Sequence, residues 1–323
     1  CSACNNGYKG RVGLYEVMEI TEELRELVLV GASALELRRK AIEAAELQLM
    51  ERRIVTIPAE HWDRIEAWAA APARSGPLRV LAEGDSWFDY PVPFFGGGLV
   101  PRLEDRLGVP ILNLAKAGDE SRYMLGVEQR QLIARHLREG CPDGTPWELM
   151  LFSGGGNDIV SNPLALWLRA FDATVPPAQL LNGPRYKNAL ALVAAAYEDL
   201  IEMRDLLSPD THLAFHGYDF AIPDGRGICH LGPWLKPAFD LRGFPADLVA
   251  SGQVVQEMLT QFAAMLKALQ SHPRVTFIDA QGTLPAVLSS WHNEMHPSKG
   301  GFNQIADVFH VQIKALFPGR VVD

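Results

Sequence analysis

The sequence has little cysteine and no long apolar run. Its 323 residues include four cysteines, of which Cys141 and Cys229 are isolated in sequence, so a framework of disulfide bonds is not predicted. No apolar stretch approaches the length that a membrane-spanning helix needs. The chain does not open with the basic and then apolar segments of a secretion signal, and it does not begin with methionine. We therefore expect a cytoplasmic protein.

Basic residues are also scarce relative to acidic ones. Lys and Arg number 30 against 39 Asp and Glu, which gives a net charge of −9. Nucleic acids and anionic membranes are bound through clustered Lys and Arg, so neither is expected as a partner. The phosphate-binding pattern GxxxxGK[ST] does not occur. The sequence thus implies no nucleotide cofactor, and it leaves the oligomeric state open.

Apolar runs of strand length alternate with helix-length segments through most of the chain. The strand-length runs are residues 78–82, 111–115, 148–152, 212–216 and 275–278. The helix-length segments are residues 99–107, 123–138, 187–207, 246–270 and 301–317. This alternation predicts an α/β domain with a parallel sheet covered by helices on both faces. A ligand site is expected at the carboxyl ends of its strands.

Four short blocks of the sequence present a serine, a glycine, an asparagine and a histidine beyond strand-length runs. The first strand-length run is followed at once by Glu83-Gly84-Asp85-Ser86, which presents a serine at the end of a strand. Gly118 then lies in NLAKAGDES, Asn157 in FSGGGNDIV and His296 in NEMHPSKGGF. In this order, over residues 78–302, the blocks resemble those of the GDSL or SGNH hydrolases.

The resemblance implies a fold, a reaction and a set of roles. The fold would be a flavodoxin-like three-layer α/β/α sandwich with a five-stranded parallel sheet. Ser86 would be the nucleophile and His296 its base, while Gly118, Asn157 and the backbone N–H of Ser86 would form the oxyanion hole. The reaction would be hydrolysis of a small-molecule carboxylic ester through an acyl-enzyme, of the esterase or lipase type, without a cofactor or metal. An acyltransferase using the same acyl-enzyme, or a catalytically silent binding protein, are the alternatives.

The last block departs from the family at one position. The family pattern is DxxH, whereas the residue three before His296 is Asn293. The group that orients His296 is therefore open among Asn293, Glu294, a backbone carbonyl and a more distant acid. A metal site formed by His292, Glu294 and His296 is not expected, because Glu294 does not directly follow the first His and Pro297 interrupts any helix.

The N-terminal part differs from the rest of the chain. Residues 1–45 resemble the C-terminal part of type II secretion and type IV pilus assembly ATPases, on a CxxC pair before GYKGRVGLYEVM and on GASALELRR. Cys1 and Cys4 would supply only half of that family's zinc site, and structural zinc needs four ligands. We expect residues 1–49 to be a small appendage, either a joined fragment or a natural fusion. Residues 50–76 would form an N-terminal helix and linker, and residues 77–323 the hydrolase domain.

Overall fold

The structure is a computed structural model that describes residues 77–90, 97–141, 144–228 and 231–321. The expected appendage (1–49) and the expected helix and linker (50–76) lie outside the described residues. The domain boundaries expected at residues 49 and 76 therefore stay predictions.

A five-stranded parallel sheet forms the centre of the described domain. Its strands run in the order β2-β1-β3-β4-β5. They are β1 (Val80–Gly84), β2 (Ile111–Asn113), β3 (Leu149–Ser153), β4 (His212–His216) and β5 (Val275–Ile278). Each pairs in parallel with its neighbours. The predicted α/β class and the parallel sheet are thus confirmed.

Helices connect the strands and cover the sheet. They are α1 (Leu99–Leu107), α2 (Ser121–Met124), α3 (Val127–Glu139), α4 (Gly156–Ile159), α5 (Leu164–Trp167), α6 (Gly183–Leu207), α7 (Lys236–Leu241), α8 (Val249–Ala268) and α9 (Lys299–Leu316). The described residues also form 3₁₀ helices at Pro177–Leu180, Leu269–Ser271 and Leu288–Ser290. Helix α1 packs against α9, whereas α6 packs against both α3 and α8. Because β1 and β3 are buried along their whole length, both faces of the sheet are covered, as in a three-layer sandwich.

Strand β1 lies two residues further along the chain than its apolar run indicates. The run predicts residues 78–82, but the strand includes Glu83, whose side chain is fully buried. Gln129 Nε2 of α3 donates a hydrogen bond of 2.7 Å to this carboxyl group. Burial raises the pKa of Glu83 to about 8, so the group is uncharged at neutral pH. A tertiary contact therefore allows a nominally charged residue inside the strand.

One predicted helix is interrupted. The segment predicted as a single helix over residues 123–138 forms α2 and α3, which are separated at Gly126. A Cβ at this glycine would lie 2.7 Å from the carbonyl oxygen of Arg122. The chain therefore turns at a point that only glycine fits without a shift of the backbone.

The ends of β1 and β3 approach each other closely. A Cβ at Gly84 would lie 2.5 Å from the carbonyl oxygen of Ser153. The next residue, Asp85, donates its backbone N–H to that same carbonyl over 2.9 Å. This contact holds the segment after β1 against the end of β3. The loops that carry Ser86 and Asn157 consequently start from neighbouring strands. Among the helices of the described residues, none combines the length and the apolarity needed to cross a membrane.

Candidate active site

Ser86 lies in a tight turn directly after β1. The backbone N–H groups of Phe88 and Asp89 both donate to the carbonyl oxygen of Asp85 over 3.0 Å. The side chain of Ser86 is 7% exposed, and its Oγ lies 2.6 Å from His296 Nε2. Two residues that are 210 positions apart in the sequence are therefore within hydrogen-bonding distance.

The Asp85 carboxylate holds the turn in place. It accepts hydrogen bonds from Tyr218 Oη (2.5 Å), from Ser153 Oγ (2.9 Å) and from the backbone N–H of Trp87 (3.0 Å). Burial raises the pKa of Asp85 to about 6, although these donors favour its ionised form. Its bonds connect the turn to β3 and to the segment after β4, and this is a structural role.

His296 comes from a compact segment between the 3₁₀ helix Leu288–Ser290 and α9. The backbone N–H of His292 donates to the carbonyl oxygen of His296 over 2.9 Å, and that of Ser298 donates to Ser290 over 2.9 Å. Ser298 then caps α9, because its Oγ accepts from the backbone N–H of Gly301. These bonds fold the segment back on itself and present the imidazole to Ser86.

Asn293 contacts the other ring nitrogen of this histidine. Its Oδ1 lies 3.0 Å from His296 Nδ1 and accepts the backbone N–H groups of Met295 and His296, each over 2.9 Å. Backbone N–H groups can only donate, so the atom at this position must be the amide oxygen rather than the nitrogen. The hydrogen between the two side chains therefore belongs to His296 Nδ1. Nε2 is left with its lone pair directed at Ser86, as a base requires.

Glu294, the other nearby candidate for this role, is engaged elsewhere. Its Oε1 accepts the backbone N–H groups of Gly225 and Lys236, each over 2.9 Å. Its Oε2 accepts those of Trp234 (2.6 Å) and Leu235 (2.7 Å). The carboxylate thereby ties the His296 segment to the long connection after β4 and does not orient the imidazole.

The contacts of His292 and His296 also bear on whether this segment could bind a metal ion. His296 directs its nitrogens at Ser86 and Asn293, while His292 Nδ1 lies 2.7 Å from Tyr90 Oη. Within the described parts of the chain, no three His, Cys, Asp or Glu side chains are grouped so that they could hold a metal ion.

Burial makes the imidazole of His296 a neutral group. The residue is 4% exposed. Burial lowers the pKa of His296 to about 3, and the neighbouring His292 adds a smaller effect in the same direction. The ring is therefore unprotonated at neutral pH and free to accept a proton from Ser86.

Gly118 and Asn157 follow β2 and β3, the two strands that flank β1 in the sheet. Gly118 has a φ of +89°, which favours glycine, and a Cβ built on it would meet no atom within 4 Å. Asn157 Nδ2 donates to the carbonyl oxygen of Asp119 over 2.9 Å, which connects the two segments. An amide nitrogen carries two hydrogens, so this bond leaves one for another acceptor. Asp158 fastens the same loops, because it accepts the backbone N–H and the hydroxyl of Ser121.

An apolar cavity adjoins Ser86. It has a volume of about 500 Å³, including its opening to solvent. Its walls come mainly from α4, α8 and the connection after β4, with Ile159, Val255, Met258, Leu259, Ala221 and Leu235 among the lining residues. Most of the long connection over residues 161–186 packs instead on the core, through Trp167 and Phe171.

The comparisons with known proteins concern different parts of the chain. No family model matches it. A lipase, Lip_vut3 from a goat rumen metagenome, has 15% identity and a TM-score of 0.46 over 72% of this chain and 96% of its own. Est24, a carbohydrate acetylesterase from Sinorhizobium meliloti, has 14% identity and a TM-score of 0.42 over 74% of this chain and 100% of its own. Other similar structures include a candidate SGNH hydrolase from Slackia heliotrinireducens and a candidate GDSL-like lipase from Parabacteroides merdae. These names include SGNH hydrolases, the family whose blocks this sequence resembles.

The curated relatives match only a short stretch. The type IV pilus assembly ATPase PilB of Myxococcus xanthus is 56% identical over 43 residues, which is 13% of this chain and 8% of that protein. PilB of Acinetobacter baylyi is 49% identical over 41 residues, 13% of this chain and 7% of that protein. The chain thus spans less than a tenth of the length of these ATPases, and the resemblance noted in the sequence is limited to that segment.

Sequence reasoning did not include Tyr90 in the site. Its Oη lies 3.1 Å from Asn293 Nδ2, and its ring stacks on the imidazole of His296 at 4.3 Å between centroids. Its position four residues after Ser86, in the same block, is the only signal in the sequence. Its partners lie more than 200 residues away, so their pairing has no local pattern.

Replacing Asn293 by aspartate is expected to raise kcat/KM by up to about tenfold, the size of a gain of roughly 1.4 kcal/mol. A carboxylate at this position favours the protonated imidazole, so the pKa of His296 rises and the acid limb of the pH profile moves to higher pH. Asn293→Ala should lower kcat/KM by at least about tenfold, because the oriented acceptor is lost.

The measurement is the pH dependence of kcat/KM for each variant. Asn303→Asp is the matched control, because it adds the same charge on α9, where Asn303 Oδ1 accepts from Arg102 Nε. An unchanged profile in both Asn293 variants would remove this residue from the site.

Proposed function

We propose that this chain hydrolyses carboxylic esters through an acyl-enzyme on Ser86. The observation that carries the proposal is the 2.6 Å contact between Ser86 Oγ and His296 Nε2, together with the tautomer that Asn293 imposes. A serine, a neutral base and an acceptor that orients the base are the parts that this reaction needs.

The reaction would proceed in two halves. Ser86 Oγ attacks the carbonyl carbon while its proton passes to His296 Nε2, and the tetrahedral oxyanion is stabilised by N–H donors at Ser86, Gly118 and Asn157. Collapse expels the alcohol, which takes the proton from His296. A water molecule then gives a proton to His296, attacks the acyl carbon and releases the acid, and the proton returns to Ser86.

The cavity next to Ser86 suits an acyl chain. Its lining is dominated by aliphatic side chains, and sugar hydroxyls would find few partners there. We therefore propose that the substrates are esters with an aliphatic acyl group, and that this acyl group lies between α4 and α8. Each buried methylene is worth about 0.8 kcal/mol, which corresponds to up to about fourfold in kcat/KM.

Activity is accordingly expected to rise along a series of p-nitrophenyl esters from acetate towards longer chains. Ala221→Phe should narrow the cavity, so it should remove the preference for long chains while acetate is still hydrolysed. Ala195→Phe, on an exposed part of α6, is the control and should leave the series unchanged. Equal rates for all chain lengths in the wild type would contradict an acyl pocket at this place.

The test of the reaction itself is a pre-steady-state experiment. A burst of p-nitrophenol equal to the enzyme concentration is expected, because the acyl-enzyme accumulates before water attacks it. An added acceptor alcohol separates two outcomes, since a transferase would form the new ester and a hydrolase would release only the acid. A complete absence of p-nitrophenol release, with no labelling by a fluorophosphonate, would leave a silent binding protein.

A further inference from the structure

The hydrogen bonds of the site continue beyond Asn293. Asn293 Nδ2 lies 3.1 Å from Tyr90 Oη, and Tyr90 Oη lies 2.7 Å from His292 Nδ1. Tyr90 is 3% exposed and Asn293 is fully buried. Tyr90 comes from the segment after β1 and both partners from the segment before α9, so the two halves of the site meet at this hydroxyl.

The direction of each bond follows from the chemistry of its groups. The oxygen of Asn293 faces His296, so its Nδ2 faces Tyr90 and can only donate. Tyr90 Oη therefore accepts from Asn293, and it can donate its own hydrogen to His292 Nδ1 when the neutral ring of His292 carries its hydrogen on Nε2. All bonds then point the same way, from Ser86 through His296, Asn293 and Tyr90 to His292.

We propose that Tyr90 and His292 are positioning residues that polarise Asn293, and that this neutral chain replaces the carboxylate expected beside His296. The inference rests on the proposed function, in which His296 takes the proton of Ser86. It adds two residues that do not touch the reacting atoms and act through Asn293.

The physical reason is the cooperativity of aligned hydrogen bonds. When His296 becomes an imidazolium, it draws electron density from the Asn293 carbonyl, and the Asn293 amide becomes a stronger donor to Tyr90. Tyr90 in turn donates more strongly to His292, whose Nδ1 lone pair accepts the bond. A neutral amide alone would stabilise the imidazolium less than a carboxylate does. The extra partners recover part of this difference.

The charged and titratable groups around these hydrogen bonds are compatible with donation in the direction from Ser86 to His292. The pKa of His292 is lowered by its partial burial and then by Arg226, so the ring favours the neutral form that can accept from Tyr90. Arg226 Nη1 also lies 3.5 Å from the carbonyl oxygen of His292. Glu294 is held by four backbone N–H groups of the connection after β4. Trp234, an uncharged residue, contacts the imidazole of His296 edge-on.

Tyr90→Phe tests the proposal, because it removes the hydroxyl and keeps the ring on His296. The expected result is a fall in kcat/KM of about tenfold, in kcat rather than in KM, with the acid limb of the pH profile moved to lower pH. The limb moves down because the imidazolium of His296 loses stabilisation, which lowers its pKa. His292→Leu should also lower kcat/KM, because it removes the acceptor of the Tyr90 hydroxyl.

Tyr186→Phe is the matched control. Tyr186 is fully buried and donates to the backbone carbonyl of Met258 over 2.9 Å. Removal of its hydroxyl therefore lowers the stability of the fold but leaves the hydrogen bonds between Ser86 and His292 in place. In an Asn293→Asp background, Tyr90→Phe should cost less than about threefold, because a carboxylate has two equivalent oxygens and its own charge. Equal costs in both backgrounds, or an unshifted acid limb in Tyr90→Phe, would overturn the proposal.

A spectroscopic readout separates this inference from the proposed function. The His296 Nδ1 proton, followed by NMR in histidine-labelled protein, should move upfield in Tyr90→Phe and stay in place in Tyr186→Phe. Absence of Ser86-dependent turnover would reject the proposed function. An upfield shift of the His296 Nδ1 proton in Tyr90→Phe would still support the proposed chain of hydrogen bonds. An unchanged chemical shift of this proton in Tyr90→Phe would reject the proposed chain of hydrogen bonds, even if the protein is an active esterase.

Discussion

Ser86→Ala is expected to abolish ester hydrolysis and covalent labelling by a fluorophosphonate. Loss of a nucleophilic serine typically costs on the order of 10⁶-fold in kcat, because no other group forms the acyl-enzyme. The fold should survive, since the Oγ of Ser86 contacts His296 at the edge of the cavity and the turn is held by the backbone and the carboxylate of Asp85. The measurements are the rate of p-nitrophenol release and the mass of the labelled protein.

Ser251→Ala is the matched control for this variant. Ser251 is 2% exposed on α8 and does not line the cavity, so both activity and labelling should remain. Thermal unfolding of both variants shows whether the fold is retained. Labelling that persists in Ser86→Ala at an unchanged rate would identify another nucleophile and reject the proposed function.

Asn157→Ala is expected to lower kcat by roughly 10²–10³-fold with little change in KM. The removed amide would donate to the oxyanion, which forms only during the reaction, so binding of the ester itself is hardly affected. A boronic acid that forms a tetrahedral adduct with Ser86 should lose affinity by a similar factor. Steady-state kinetics and inhibition by this compound are the two measurements.

Asn113→Ala controls for a structural effect of losing an asparagine near the site. Asn113 ends β2, and its side chain contacts the backbone of Phe88 and Ala115. Its removal should cost stability and leave kcat within about threefold, because no donor to the oxyanion is lost. Equal losses of kcat in both variants would show that Asn157 acts only by holding the neighbouring loop through Asp119.

Much of the fold follows from local patterns in the sequence. Five apolar runs coincide with the five strands, and β4 and β5 have the predicted bounds. The long helix α8 falls within its predicted segment, and α6 ends where predicted but begins four residues earlier, at Gly183. Here Pro184 occupies the first turn and Asn182 caps the backbone N–H of Arg185, which are local signals that a longer window would include.

The site was less accessible to sequence reasoning. The blocks named Ser86 and His296, but four candidates remained for the group that orients the imidazole. The three hydrogen bonds to the Asn293 oxygen and the four bonds to the Glu294 carboxylate distinguish these neighbours in the structure. Two adjacent polar residues in one loop look alike in sequence, because their partners belong to other segments.

The sequence by itself determined the order of strands and helices, the presence of a serine at the end of β1, and the place of a histidine before the last helix. These features depend on apolar periodicity and on residues close together in the chain. The tertiary structure alone decided the contact of Ser86 with His296, the tautomer of that histidine, the contacts of Tyr90 and the apolar cavity. Each of these depends on atoms from segments that lie far apart in the sequence, and their distances exist only after the sheet brings its carboxyl ends together.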